Sequence, residues 1–425
     1  MREQIRNEKL GMEYLRLVDE TGLTVLLYPD SRYRSVYALY GAKYGSQDYR
    51  FRLESEKEFT EVPAGIAHFL EHKLFESEEQ DAFERFGKTG ASANAYTSFD
   101  KTCYLFSASD NIDESLDILL DFVTSPYFTA ETVQKEQGII GQEITMYDDN
   151  PGWQVFFRLL GGLYHNLPVK TDIAGTKESI SHITDKLLYR CYNTFYNPGN
   201  MVLSIAGNID PARVMELVKK NAKGRRGQKV ISYVPPEPRE VVERRVSARF
   251  PVSNNLFQLG FKEPAGEEVD IRREITAGLV MELLFGEGSA LYCRLHDQGL
   301  LSQPFETEVF SGRGYFTEII GGETKDPDAV QRAILEETAR LRKEGISAAD
   351  FDRARRVLYG QSVAQLGSME AVATNMLQME FVGGGLFDGI SILSALTVED
   401  AQAYLADHLL EQFSCLSVIE PLKEE

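Results

Sequence analysis

A chain of 425 residues with 43% hydrophobic and 26% charged residues has ordinary globular composition. That excludes a largely disordered protein and predicts two or three domains at roughly 150 residues each. No run approaches the roughly 18 apolar residues of a membrane span, so no membrane partner is expected. A formal charge of −20 without a basic stripe argues against a nucleic-acid partner. The stretch from Met1 to Lys9 mixes both signs of charge and leads into no apolar core. It is not read as a signal peptide, and a cytoplasmic chain is expected. Cys103, Cys191, Cys293 and Cys415 lie far apart with no Cys-x-x-Cys pair and read as buried small hydrophobes.

In chain order, strand-like runs at 23–28 and 35–40 precede an apolar helix over 65–75. A β-rich stretch over 93–108 follows, then amphipathic helices over 114–122 and 130–146. The proline cluster Tyr233-Val234-Pro235-Pro236-Glu237-Pro238 reads as a linker. Beyond it the order returns: a strand at 256–261, a helix over 274–285, a β-rich stretch over 305–321, and helices over 328–343 and 348–365. Residues 130–140 lie over 348–358 without gaps, with Val133/Phe351, Ile139/Val357 and Ile140/Leu358 coinciding as repeated faces of one buried helix would. A duplication is expected, with domains 1–232 and 239–425 and a linker at 233–238. Strands followed by helix pairs predict an α+β class: two homologous domains, each a mainly antiparallel sheet with helices packed on one face. Gly383-Gly384-Gly385 reads either as a hinge or as a surface turn.

The helix over 65–75 carries His68 and His72, four apart and therefore on one face, where two imidazoles can meet a single metal ion. Glu71 sits on the rim of that face, placed to take a proton from a water without being a ligand. A third ligand must come from elsewhere. His165 and His182 lie in loop-like sequence, whereas Glu136 and Glu143 are seven apart, two turns of one helix, and share a face. In the second copy these positions read Ala354 and Gln361, and Gly278, Met281 and Glu282 replace His68, Glu71 and His72. Losing both sets from the same copy ties them into one site.

The sequence His68-Phe69-Leu70-Glu71-His72, the pair Glu136 and Glu143, the stretch Ser92-Ala93-Asn94-Ala95-Tyr96-Thr97 and the duplicated halves resemble the inverzincin zinc metallopeptidases. That family includes pitrilysin, insulin-degrading enzyme and mitochondrial processing peptidase; the half-length bacterial members look closest. The resemblance implies a mitochondrial processing peptidase-like fold and one Zn2+ per chain, held by His68, His72 and Glu143. It implies Glu71 as general base, Glu136 as an accessory catalytic carboxylate, and Ala93, Asn94 and Ala95 as binders of the backbone of a peptide substrate. It further implies endopeptidase activity on oligopeptides or leader peptides inside a closed chamber. Leu295 and Ser302 stand where the family places a substrate-gripping Arg and Tyr. A homologous subunit supplying that pair in a heterodimer is therefore expected, or a homodimer. The alternative is a non-catalytic structural subunit.

Overall fold

The computed structural model describes residues 2–78 and 80–422. The chain forms two compact units: Met1–Ile144, Asp172–Tyr233 and Ala364–Phe387 in the first; Thr145–Thr171, Val234–Val363 and Asp388–Glu425 in the second. The boundary at Tyr233 agrees with the proline cluster, but the contiguous division 1–232 and 239–425 needs correction. Segment 145–171 belongs with the later residues and segment 364–387 with the earlier ones.

The first unit holds a seven-stranded sheet ordered Arg2–Asn7, Met12–Val18, Thr24–Pro29, Met201–Gly207, Val36–Ala42, Thr102–Ala108, Ser92–Thr97. Every pairing is antiparallel except Thr24–Pro29 with Met201–Gly207. The second unit repeats five of these positions: Arg245–Phe250, Ser414–Pro421, Asn255–Lys262, Tyr315–Thr324, Glu306–Gly312, again with one parallel pair, Arg245–Phe250 with Ser414–Pro421. The α+β class and the duplication are thus visible in strand order. The first two strands form a hairpin, turned at Gly11 with φ +64° and tied by Arg16 to Glu380 at 2.7 Å. The first of these strands is mostly exposed and rich in charge, so it gave no strand signal.

The exchanged segments explain the corrected boundary. Helix Met369–Phe381 packs on strands Met201–Gly207 and Val36–Ala42, and helix Pro151–Leu163 packs on Ser414–Pro421 and Asn255–Lys262. The two docks match in detail. Ser204 Oγ donates to the Ala373 carbonyl oxygen at 2.7 Å, and Ser417 Oγ to that of Val155 at 2.8 Å. Gly41 lies against Leu377, and Gly260 against Leu159 and Leu163; a Cβ at either would come within 3 Å of a leucine methyl. Neighbouring residues of a strand face opposite ways. While Gly41 meets this helix, Tyr40 faces Leu120 and Val218 on the other side of the sheet. Each unit therefore adds one helix to the second face of its sheet, and strand Met201–Gly207 is buried along its whole length.

Two smaller expectations also change. The segment 234–238 is anchored in the second unit: Glu237 accepts N–H groups of His165, Asn166 and Leu167 and pairs with Lys262 at 2.6 Å. Cys293 is exposed, because helix Ala290–Asp297 buries Leu291 and Leu295 instead; the other three cysteines are buried, and all four are free. Gly383, with φ +79°, and Gly384 close the end of helix Met369–Phe381 by donating to the carbonyls of Glu380 and Met379. Among the described residues no helix is long and apolar enough to cross a membrane.

Candidate metal centre

Helix Ile66–Leu74 starts at Gly65, whose φ of +89° and contact with the Ala174 carbonyl leave no room for a side chain. Phe69, Leu70 and Leu74 are fully buried, and the helix packs on strands Ser92–Thr97 and Thr102–Ala108. That anchoring directs the opposite face, with His68 and His72, toward helix Ala130–Asp148, which carries Glu136 and Glu143.

The imidazole rings lie 4.6 Å apart between centroids. His68 Nε2 is 3.6 Å from Glu143 Oε1 and His72 Nε2 is 3.5 Å from Glu143 Oε2. A tetrahedral zinc with bonds of about 2.0–2.2 Å sets neighbouring ligand atoms roughly 3.3–3.6 Å apart. The donors are of the types zinc takes, each imidazole stands at about that spacing from one Glu143 oxygen, and one donor atom from each of the three residues lies within 4.8 Å of the others. Among the described residues this is the one cluster of three or more such donors. His182 is exposed and outside it, and the His165 backbone N–H is engaged by Glu237.

Glu136, 6% exposed, lies 3.0 Å from His72 Nδ1. An ionised carboxylate only accepts, so Nδ1 carries the proton and Nε2 presents its lone pair toward Glu143. His68 Nδ1 is buried with no hydrogen-bond partner among the described residues, so no carboxylate holds that ring from behind as Glu136 holds His72. Burial first, and the neighbouring His72 second, push the His68 pKa down to about 4, which keeps it a neutral donor. For His72 burial opposes the charged form, but the hydrogen bond to Glu136 and the charges of Glu71 and Glu143 outweigh it and raise the pKa.

Glu71 is buried beside the ligands, and burial raises its carboxyl above the usual range against the hydrogen bond from Thr97. The residues expected to face a peptide, Ala93, Asn94 and Ala95, lie on the terminal strand of the sheet, which has one neighbour, Thr102–Ala108. Asn94 is exposed, and its Oδ1 accepts from the Ala95 N–H at 2.9 Å. In the second unit Met281 is buried, and Glu282, at the position of His72, pairs with Arg353 at 3.6 Å. Leu295 is buried and Ser302 exposed; neither offers a cation or a phenol. The sequence reading left Thr97 without a role, since its contact with Glu71 depends on strand placement.

The chain has relatives among known proteins. Residues 58–177 match the family model described as insulinase (peptidase family M16), and residues 182–358 match the peptidase M16 inactive domain. The chain is 40% identical over 399 residues to the uncharacterized zinc protease YmfH of Bacillus subtilis, covering 91% of this chain and 92% of that protein. Its structure is similar to that of an M16-like peptidase from Alicyclobacillus acidocaldarius, at a TM-score of 0.92 and 35% identity over 99% of each chain. It is also similar in fold to pitrilysin, at a TM-score of 0.79 and 16% identity, where it covers all of this chain but 47% of the other.

Proposed function

This chain belongs to peptidase family M16, the insulinase family, and on that premise we propose that it is a zinc-dependent endopeptidase cleaving oligopeptides or leader peptides. The observation that carries the reading is the convergence of His68, His72 and Glu143 beside a buried Glu71. The residues that would hold one zinc ion are those three. When bound, the ion supplies Lewis acidity, which lowers the pKa of a water toward about 7 and polarises a carbonyl.

The chain's own groups do the rest. Glu71 takes the proton of the attacking water at its carboxylate and later delivers it to the leaving amine. Its raised pKa suits a group that must hold a proton between those events. Glu136 keeps His72 in the Nδ1–H form. The terminal strand with Ala93, Asn94 and Ala95 binds an extended peptide by backbone pairing, which is nearly indifferent to side chains. With Leu295 and Ser302 at the positions of the expected Arg and Tyr, a homologous subunit supplies that pair. Likeness in fold to roughly half of pitrilysin supports a two-part assembly.

Glu71→Gln is expected to retain zinc and lose peptide cleavage, whereas His68→Ala loses the metal. Metal analysis and a peptide-library digest, with and without a homologous partner, provide the test. Near wild-type cleavage by Glu71→Gln refutes the base assignment. A zinc-loaded wild-type chain that cleaves nothing in either setting favours the structural-subunit alternative.

A further inference from the structure

Glu71 accepts one hydrogen bond among the described residues, from Thr97 Oγ1 to Oε2 at 2.7 Å. The proton comes from the hydroxyl, because an ionised carboxylate has none to give. Thr97 stands directly opposite Thr102 in the hairpin, with the two hydroxyl oxygens 3.4 Å apart. Thr102 is fully buried and directs its own proton to the Tyr44 carbonyl oxygen at 2.8 Å. The donor direction is thereby set: Thr102 to Tyr44, Thr97 to Glu71.

The hairpin end that carries both threonines is clamped. Ser46 N–H donates to the Ser98 carbonyl and Gln47 N–H to the Phe99 carbonyl, each at 3.0 Å. Gly45 approaches so closely that a Cβ there would lie 2.3 Å from the Phe99 carbonyl carbon. A β-branched side chain on such a braced strand end has little rotamer freedom. The hydroxyl is therefore a fixed point next to the buried Glu71 carboxylate, whose direction depends on side-chain torsions that the helix backbone does not itself set.

We propose that Thr97 is a positioning residue: its hydroxyl, held by the strand register and backed by Thr102, sets which way the Glu71 carboxylate faces. The proposal rests on the reading of Glu71 as general base given above.

The test uses the near-isosteric Thr97→Val, with Thr97→Ser as the conservative rescue and Thr97→Ala should the valine variant not fold. Zinc affinity is measured by chelator competition, the Glu71 rotamer by crystallography of the zinc-loaded protein, and kcat and KM in whichever assembly gives wild-type activity. In Thr97→Val the Glu71 side chain is expected to leave its wild-type rotamer and kcat to fall about 10–100-fold, while KM and the zinc Kd stay within about threefold. Thr97→Ser restores both the rotamer and kcat. An unchanged Glu71 rotamer, a loss carried by KM or by zinc affinity, or a serine variant that stays impaired overturns the proposal. If the zinc-loaded wild type cleaves no peptide, the functional reading falls, and the Glu71 rotamer in Thr97→Val still decides the positioning role.

Discussion

Removing the charge of Glu136 tests whether the second glutamate acts through His72. The hydrogen bond is 3.0 Å long, Glu136 is 6% exposed and the His72 side chain 27%, so solvent screens the pair only in part. A hydrogen bond to a charged group contributes about 1.5–3 kcal/mol and a neutral one about 0.5–1.5 kcal/mol. Glu136→Gln keeps an acceptor oxygen for Nδ1–H but loses the charge, a difference of about 1–1.5 kcal/mol, or roughly 5–10-fold in zinc affinity. Glu136→Ala also loses the acceptor, and its affinity falls by about 10–100-fold. Chelator competition at pH 8, where protons compete least for His72, gives both constants. The order wild type, Gln, Ala is the signature. Two variants that bind zinc as tightly as wild type would refute the account, and Gln weaker than Ala would show that the amide had turned its donor toward the ring.

Three further outcomes follow from the geometry. Glu318 is wholly buried with Tyr404 donating to it, and burial, then the charge of Glu263, push its pKa up to about 8. Between the ordinary carboxylate value and about pH 8 the folded chain keeps a proton that the unfolded chain has released, so this group lowers stability as pH rises through that window. Glu318→Gln is expected to match wild type in Tm near pH 5 and to exceed it at pH 8; a Tm gap that does not widen with pH argues against a neutral Glu318. Gly41→Ala places a methyl 2.8 Å from Leu377 Cδ1 and 3.0 Å from Cys103 Sγ, and urea unfolding should show a loss of about 1–3 kcal/mol. A change under about 0.5 kcal/mol there would mean that helix Met369–Phe381 yields easily. Ser204→Ala removes the bond to the Ala373 carbonyl and is expected to cost about 1 kcal/mol by the same assay, with unchanged stability counting against that dock.

The histidine pair was legible in the sequence because it is local. Four residues on a helix put His68 and His72 on one face whatever surrounds them, and a seven-residue step does the same for Glu136 and Glu143. The degenerate second copy tied the two helices to one site, again by comparing residues at fixed offsets. What required the tertiary structure is which groups meet across elements. Glu136 reaches Nδ1 of His72, and Thr97 reaches Glu71, only because two helices and an edge strand converge. The same limit explains the domain boundary. An amphipathic helix declares that one face is buried but not against which sheet, and helices Pro151–Leu163 and Met369–Phe381 found theirs where Gly260 and Gly41 leave space. Periodicity is a property of a segment, whereas docking depends on complementary shape between segments far apart in the chain, and that exists only once the sheets have formed.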